Sequence, residues 1–351
     1  MIRVPFASSK IATMAVAQTS RLCTKRLYSS STADIAAEIQ TRGPWYYHEP
    51  LSMAQINKLH TSFTGYTPQL NEAELAPGAS LPLGYHLAFF NDVSPETELA
   101  ADGYHTAQAP RDEAKFPVRM WLGGSVEFNP HAKHGGLVIG APASAKEVIK
   151  GTRYSQKEIS PGTSVERLDV TLDRLLYGTD LAPADMDATN WALRETRSIA
   201  YFSPEAGVNR KDTFDRYIKP PSGATHKLTL TPSNVLLFRY SALTFNSHRI
   251  HYDPYYSQRE EGLPDCIVHG PLSLSLVMSW FSSTVLPSCG ANKVISTFSY
   301  KNLLPMFVNQ KLTLNAAVST RSQDSINFWI ENHNGSLTMS GSVKLMDSEL
   351  S

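Results

Sequence analysis

One long apolar segment constrains this chain more than any other feature. Residues 270–286 contain no charged side chain, with Pro271 near the start and Pro287 directly after the end. Proline is favoured in the first turn of a helix and cannot continue one, so the two prolines mark a beginning and an end. Residues 272–276 alternate leucine with serine as a strand would, and periodicity alone does not decide between the two structures. The length and the flanking prolines favour a buried helix.

Strand candidates surround this helix in the second half of the chain. Four follow it, at 294–300, 310–319, 326–331 and 336–345. The dipeptide Asn334-Gly335, a strong hairpin signal, separates the last two. An antiparallel sheet of this kind must have its apolar face covered, and the apolar helix is the only candidate to cover it. The sequence therefore predicts an α+β fold in which a sheet wraps around one long helix, the hot-dog arrangement.

The first half has a similar inventory, which predicts a double hot dog. Met53, Ile56, Leu59 and Phe63 recur at helical spacing behind Ser52, a favourable cap. Strand-like segments lie at 119–128, 136–139, 153–159 and 198–202, and in the second half before the helix at 228–231 and 235–240. The Pro- and Gly-rich stretch 203–225 indicates a linker. We expect a first domain at 45–202 and a second at 226–351.

The N-terminus has the composition of a mitochondrial transit peptide. Residues 1–33 contain five basic residues, many serines and no Asp or Glu, and cleavage after Tyr28 fits the local sequence. A disordered basic tail is the alternative. Removal of residues 1–28 takes five positive charges from a chain of net charge zero and leaves about −5. We therefore expect a matrix protein whose main partner is not nucleic acid. No uninterrupted apolar run reaches the ~18 residues of a membrane span, so none is expected.

Polar residues with catalytic potential cluster just before the apolar helix. We expect a histidine-rich loop at 246–253 to leave the strand predicted at 235–240, and Gly270 to open the helix. Backbone N–H groups at a helix start have no partner within the helix and attract negative charge. Gly270 is thus a candidate donor to an enolate-like thioester oxygen, although a simple tight turn is the alternative. A histidine beside it could move the proton at the neighbouring carbon.

These segments resemble the catalytic region of the MaoC-like, (R)-specific enoyl hydratase family. The residues concerned are 238–253 and 266–272. In the first half, residues 102–105 and 116–124 are similar to the N-terminal hot-dog domain of the fungal mitochondrial hydroxyacyl-thioester dehydratases type 2, which are related to mesaconyl-CoA hydratases. The resemblance implies reversible dehydration of (R)-3-hydroxyacyl thioesters on acyl carrier protein or CoA, in mitochondrial fatty acid synthesis.

The resemblance also implies the site residues. In the family motif an aspartate and a histidine five positions apart flank an Asn-Pro pair; here these positions are Asn246 and His251, with His248-Arg249 between them. An amide cannot act as a base, so Asn246 would orient the water or the 3-hydroxyl, or only form an Asx turn. We therefore predict a one-base cycle, in which His251 takes the C2 proton and its imidazolium, or a bridging water, returns that proton to the departing hydroxyl.

Four further residues are substrate-binding candidates with competing structural interpretations. His248 is either a replacement acid or a solvated loop histidine, and His269 is expected to pack or hydrogen-bond locally rather than react. Arg239 and Arg249 could meet the phosphates of a CoA or phosphopantetheine arm, although single arginines more often form surface ion pairs. No metal site and no cofactor beyond the acyl carrier are predicted.

Two other functions remain open on the sequence. The first is hydration of a branched or dicarboxylic enoyl-CoA, as in the mesaconyl branch, which a basic residue facing a distal carboxylate would favour. The second is an acyl-thioester-binding protein without activity, for which the amide at Asn246 is the best support. Because a double hot dog pairs its two domains within one chain, both a monomer and a homodimer are possible.

Overall fold

The described strands form one antiparallel sheet of ten strands. The computed structural model describes residues 31–111, 114–207, 214–318 and 324–348, so the predicted transit peptide lies outside it. The α-helices are α1 (Thr32–Gln40), α2 (Met53–Phe63), α3 (Asn234–Leu243), α4 (Pro254–Arg259) and α5 (Gly270–Trp280). The strands are β1 (Trp45–Pro50), β2 (Val118–Phe128), β3 (Pro142–Ser160), β4 (Thr163–Tyr177), β5 (Leu193–Phe202), β6 (His226–Leu230), β7 (Lys293–Asn302), β8 (Leu312–Val318), β9 (Ser325–Glu331) and β10 (Leu337–Asp347).

The strand order shows two halves with the same topology. The sheet runs β1-β3-β4-β5-β2-β7-β10-β9-β8-β6. Read from its outer edge to the centre of the sheet, each half places its first, third, fourth, fifth and second strands in that order. The halves join where β2 pairs with β7, from Gly123 opposite Lys301 to Glu127 opposite Thr297. A Cβ at Gly123 would come within 2.3 Å of the carbonyl oxygen of Tyr300, so this junction requires glycine. The predicted double hot dog of the α+β class is confirmed.

The apolar segment 270–286 is helical and occupies the core, as predicted. Every residue of α5 from Leu272 to Trp280 is buried. The helix continues through a π-turn at Phe281–Val285 and a 3₁₀ turn at Leu286–Cys289. By length and composition Gly270–Cys289 is sufficient to cross a membrane, but 67% of its most apolar window is buried inside the protein. This helix therefore lies in the main core cluster, together with buried residues of the sheet.

Among the described residues of the first half, no comparable long helix lies at the equivalent place in the element order. The segment between α2 and β2 contains instead the short 3₁₀ turn Tyr85–Ala88, which is completely buried. This turn packs on α5, where the hydroxyl of Ser275 donates to the carbonyl of Gly84 at 3.0 Å. Space here is tight, since a Cβ at Gly84 would lie 3.0 Å from Cα of Ser275. The largest core cluster thus contains residues of both halves, and a smaller one, which includes Ile39 of α1 and Leu168 of β4, belongs to the first half alone.

Two local predictions are wrong. Residues 235–240 belong to helix α3, not to a strand: Ser233 caps it by accepting from the N–H of Leu236 at 3.2 Å, and Tyr240 lies on its buried face. Residues 136–139 form no strand beyond one isolated bridge between Val138 and Ser80. The Ser52 cap and α2 are confirmed, and so is the turn at Asn334-Gly335, where Gly335 has φ +71°.

Candidate active site

A cavity of about 1130 Å³ opens between the two halves. The second half contributes the segment from Tyr240 to Tyr252 and the start of α5, and the first half contributes residues near Asp102 and along β2. Five of the predicted site residues line it: Asn246, His248, Arg249, His251 and Gly270. The histidine-rich loop leaves helix α3 rather than a strand, and α3 therefore sets where these side chains point.

His251 lies buried at the wall of this cavity, on the 3₁₀ turn Arg249–His251. Its Nδ1 lies 2.7 Å from the carbonyl oxygen of Ile267. Because a carbonyl can only accept, Nδ1 carries the proton and Nε2 has the free lone pair. Burial, together with the nearby imidazole of His248, lowers the pKa of His251 to about 3 against the opposing effect of the Ile267 bond. The ring is therefore neutral near pH 7, with a basic nitrogen left for the cavity.

The ring of His269 packs against the ring of His251. The two rings are stacked, with centroids 3.8 Å apart and planes 19° apart. Nε2 of His269 is hydrogen-bonded to the hydroxyl of Ser241 at 2.8 Å. Burial lowers the pKa of His269 well below its ordinary value. His269 is not among the residues that line the cavity, so its position fits the packing interpretation and not a direct contact with substrate.

Gly270 is the first residue of α5 and faces the same cavity. His269 precedes it as the cap residue without a side-chain cap bond, so the helix N-terminus is left to an outside acceptor. A Cβ at Gly270 would lie 3.3 Å from Cγ of Trp121 and 3.5 Å from Nδ2 of Asn302. Glycine therefore permits a close approach of backbone, ring and ligand at this point.

Asn246 forms the Asx turn that was one of its two predicted roles. Its Oδ1 accepts from the backbone N–H of His248 at 3.0 Å. The side chain is partly buried and lines the cavity. With the oxygen engaged by the backbone, the amide NH₂ is the part that remains for a ligand.

His248 makes a contact that the sequence did not reveal. It is buried, and its Nε2 lies 3.1 Å from Oδ2 of Asp102, which comes from the first half. Asp102 also forms an ion pair with Arg119 of β2. Burial raises the pKa of Asp102, but the hydrogen bond from His248 and the charges of His248 and Arg119 outweigh it and lower that pKa to about 2. His248 is therefore not a solvated loop histidine; it is held by a carboxylate.

The signal for Asp102 was present but could not be assigned from the sequence. Residues 102–105 stood out only through their resemblance to the N-terminal hot-dog domain. The contact between residues 102 and 248 depends on how the halves dock. Here Gly103 comes so close to the loop that a Cβ would lie 2.1 Å from the carbonyl oxygen of Ser247. Such a long-range apposition leaves no periodicity or spacing in the sequence.

The two predicted arginines occupy different places. Arg249 lines the cavity, is ion-paired with Asp253 at 2.8 Å and stacks over the ring of Tyr256. Arg239 is exposed on α3 and is not among the cavity-lining residues. Asp253 caps α4 by accepting from the N–H of Tyr256 at 3.0 Å. Arg249 is thus placed at the cavity and Arg239 outside it.

Comparison with known proteins identifies the family of this chain. The family model of hydroxyacyl-thioester dehydratase type 2 matches residues 84–308. The chain is 29% identical over 277 residues to the mitochondrial hydroxyacyl-thioester dehydratase type 2 of Schizosaccharomyces pombe, covering 75% of this chain and 87% of that protein. It is 30% identical over 272 residues to mesaconyl-C(4)-CoA hydratase of Chloroflexus aurantiacus, covering 77% and 86%.

Solved structures support the fold. A MaoC-like dehydratase superposes with a TM-score of 0.56 at 11% identity, covering 89% of this chain and all (100%) of that one. A MaoC-like dehydratase from Phytophthora capsici gives 0.52 at 14% identity, covering 90% and 98%. The matched segment 84–308 contains Asp102, His248, His251 and Gly270 together. The chain therefore belongs to the hydroxyacyl-thioester dehydratase type 2 family of hydro-lyases, built on the MaoC-like double hot dog.

Proposed function

We propose that this chain removes water reversibly from (R)-3-hydroxyacyl thioesters to give trans-2-enoyl thioesters, in mitochondrial type II fatty acid synthesis. One observation carries the proposal: the free Nε2 of a neutral His251 and the start of α5 at Gly270 face the same cavity. A base and an anion-stabilising donor are the two requirements for breaking a C–H bond beside a thioester carbonyl.

His251 takes the proton from C2. Its pKa of about 3 keeps the imidazole unprotonated at the pH of a working enzyme, so the base is always available. Binding of the thioester supplies the driving force that a base of low pKa lacks, because negative charge that develops on the substrate favours the imidazolium. The bond from Nδ1 to the Ile267 carbonyl and the stack on His269 fix the direction in which Nε2 points.

The start of α5 receives the thioester oxygen. As C2 loses its proton, negative charge moves to that oxygen, and the N–H of Gly270 with the helix dipole stabilises it. The amide of Asn246 would hold the water or the 3-hydroxyl near C3.

The charges around the cavity favour an uncharged acyl chain. Three arginines line it, and each is already paired with a carboxylate: Arg119 with Asp102, Arg197 with Glu195 and Arg249 with Asp253. A distal substrate carboxylate would have to compete for one of these cations. Apolar side chains of the first half line the cavity as well, including Leu87, Leu99, Val118, Leu172 and Ile199. We therefore assign the first half to the acyl chain and rank the dicarboxylic substrate second.

The remaining features support a carrier and a compartment. Arg249 retains a side-chain exposure of 39% and is the better candidate for a phosphate of acyl carrier protein or CoA, since Arg239 lies away from the cavity. The acid-free, basic N-terminus supports import into the mitochondrial matrix. The two halves meet within one chain, so a monomer suffices for the site, and a homodimer is compatible with it.

The purified full-length chain tests this proposal. It should hydrate crotonyl-CoA and crotonyl acyl carrier protein, followed by the loss of enoyl-thioester absorbance, and chiral analysis should find the (R)-3-hydroxy product. Faster turnover of mesaconyl-C(4)-CoA would favour the dicarboxylic alternative. A folded chain that binds these thioesters without converting any of them would be the non-catalytic protein, and the proposal would be wrong.

A further inference from the structure

We propose that His248, held by Asp102 of the first half, is the residue that protonates the departing 3-hydroxyl group, while His251 acts at C2. This inference rests on the proposed dehydratase function and replaces the one-base cycle expected from the sequence. It makes the first half a direct contributor to catalysis through Asp102, which acts as a positioning residue.

The geometry of the pair is that of a carboxylate orienting an imidazole. Nε2 of His248 lies 3.1 Å from Oδ2 of Asp102, and the two side chains are only 7% and 10% exposed. Both residues line the cavity. The ring of His248 meets the ring of His251 edge-on, with centroids 5.5 Å apart. Two imidazoles therefore face one cavity at a separation that allows them to act on neighbouring carbons of one substrate.

Asp102 is fixed before any substrate arrives. Arg119 pairs with its carboxylate, and the backbone N–H of Tyr104 donates to its Oδ1 at 3.0 Å. Its own carbonyl accepts from the N–H of Arg249 at 2.9 Å, which ties the segment to the catalytic loop. The carboxylate is thus locked to both halves and cannot turn away from His248.

The hydrogen bond decides which nitrogen of His248 works. An ionised carboxylate only accepts hydrogen bonds, so Nε2 of His248 carries a proton and donates a hydrogen bond to Asp102. In the described part of the chain no hydrogen bond involves Nδ1 of His248, which leaves that nitrogen for the ligand. Burial lowers the pKa of His248, and the hydrogen bond to Asp102 and the charge of that carboxylate oppose this effect. The carboxylate thereby stabilises the imidazolium, the reactive form, in which Nδ1 carries a transferable proton.

The chemistry needs such a group. The family position that normally carries a carboxylate is Asn246, whose amide transfers no proton, and its oxygen is occupied by the N–H of His248. His251 has one nitrogen committed to the Ile267 carbonyl and one directed to C2. A second acid–base group is therefore required at C3. His248 lines the same cavity and is hydrogen-bonded to the carboxylate of Asp102, so we assign it to that carbon.

The proton balance closes over one cycle. In dehydration the C2–H bond breaks and its proton passes to Nε2 of His251, while the electron pair forms the C2–C3 double bond by way of the enolate at Gly270. The C3–O bond breaks, its electrons leave on oxygen, and Nδ1 of the His248 imidazolium supplies the proton that completes the water molecule. His251 ends protonated and His248 neutral, and one proton moving between them through cavity water restores the start.

A pair of assays on the full-length chain separates the two ends of the reaction. The first measures hydration of crotonyl-CoA, which needs both ends. The second measures exchange of the C2 protons of butyryl-CoA for solvent deuterium, and this substrate has no 3-hydroxyl, so only the C2 end is used. His248→Gln should lose about 10²- to 10⁴-fold in hydration and keep most of the exchange. His251→Gln should lose both.

Asp102→Asn and a matched control complete the design. Asp102→Asn should show the same pattern as His248→Gln but a smaller loss, and the double variant should be no slower than His248→Gln alone, because the two act as one unit. Tyr66→Phe removes another hydrogen bond between the two halves, from its hydroxyl to that of Ser233 at 2.9 Å, outside the set of cavity-lining residues, and should keep hydration. Urea unfolding checks that every variant is folded.

Each result decides the matter. Near-normal hydration by His248→Gln would overturn the assignment, and so would an equal loss of hydration and exchange in that variant. Additive losses in the double variant would reduce Asp102 to a structural role. If the wild-type chain hydrates crotonyl-CoA but catalyses no exchange of butyryl-CoA, His251 does not act alone at C2 and the division of labour is wrong. If the wild type does not hydrate any thioester, it is the proposed function that fails.

Discussion

Acidification from pH 7 to pH 5 should lower the free energy of unfolding by at least about 4 kcal/mol. The cause is two histidines that stay neutral in the folded chain. Burial lowers the pKa of His251 to about 3 and that of His86 to about 4, from 6.5 for the free side chain. His86 is 1% exposed, and its Nε2 has no hydrogen-bond partner in the described structure. The nearby charge of Glu195 favours the protonated form but does not outweigh burial.

The sign follows from which state binds the proton. Above pH 6.5 both histidines are neutral in the folded and the unfolded chain and have little effect. As the pH falls below 6.5, the unfolded chain takes up a proton at each histidine and the folded chain does not, so stability decreases until the pH reaches the folded pKa values of about 3 and about 4. At about 1.4 kcal/mol per pH unit, each histidine costs roughly 2 kcal/mol at pH 5. His248 and His269, whose pKa values are also lowered, add in the same direction.

The carboxylates do not mask this effect. Burial raises the pKa values of Asp102 and Glu195, but their charged and hydrogen-bonded neighbours outweigh burial and lower both values to about 2, from 3.8 and 4.5. The stability these groups contribute is present above their unfolded pKa and is lost only as the pH falls from about 4.5 toward 2. Glu49, whose pKa is raised by burial, acts in the opposite direction, but the several buried histidines outweigh this one group and dominate between pH 7 and pH 5.

Urea unfolding followed by tryptophan fluorescence at pH 7 and pH 5 measures the effect. The wild type should lose at least about 4 kcal/mol, and His251→Gln should lose roughly 2 kcal/mol less over the same interval. His131→Gln, at an exposed histidine, is the control and should behave as the wild type. A wild-type stability that changes by less than about 1 kcal/mol would refute the reasoning, as would a His251→Gln chain with unchanged pH dependence.

Two substitutions, each with a matched control, test other parts of the structure. Arg174→Ala removes a fully buried partner of Glu195, 3.1 Å away, and should cost about 3–5 kcal/mol in urea unfolding; Arg153→Ala removes an ion pair whose arginine is 75% exposed and should cost less than about 1 kcal/mol, and equal losses would contradict the account. Gly270→Ala adds a methyl group 3.3 Å from a cavity-lining tryptophan and should reduce kcat by up to about 10²-fold by displacing the N–H donor. Gly136→Ala, where the added methyl meets nothing within 4 Å, should leave kcat unchanged.

The core of the fold was predictable because its signals are local. The helix at α5 has an uncharged run longer than most strands, bounded by Pro271 and Pro287. The last hairpin has a turn dipeptide that requires positive φ, and Gly335 supplies it. The strand predicted at residues 235–240 was wrong because a six-residue, mainly apolar window fits either a strand or a helix. The deciding features were Ser233, which caps the helix, and burial that recurs every three to four residues.

The site was predictable only as far as one half of the chain defines it. His251, Asn246 and Gly270 lie within one motif, and their meeting at one cavity is a consequence of short loops before α5. Asp102 reaches His248 across the boundary between the halves. That contact requires the pairing of β2 with β7 and the close approach of Gly103, and both are tertiary features that a single sequence does not encode as a pattern.

The most direct test of the central claim is the kcat of His251→Gln on crotonyl-CoA beside the wild type and His131→Gln, with binding of the saturated thioester measured on the same samples. The glutamine retains a donor and an acceptor of similar reach but cannot take up a proton, so kcat should fall by about 10²- to 10⁴-fold with thioester binding and folding unchanged, while the control keeps full activity. A folded His251→Gln chain that hydrates crotonyl-CoA within a few-fold of the wild type would contradict the account, since no other residue is assigned to the C2 proton.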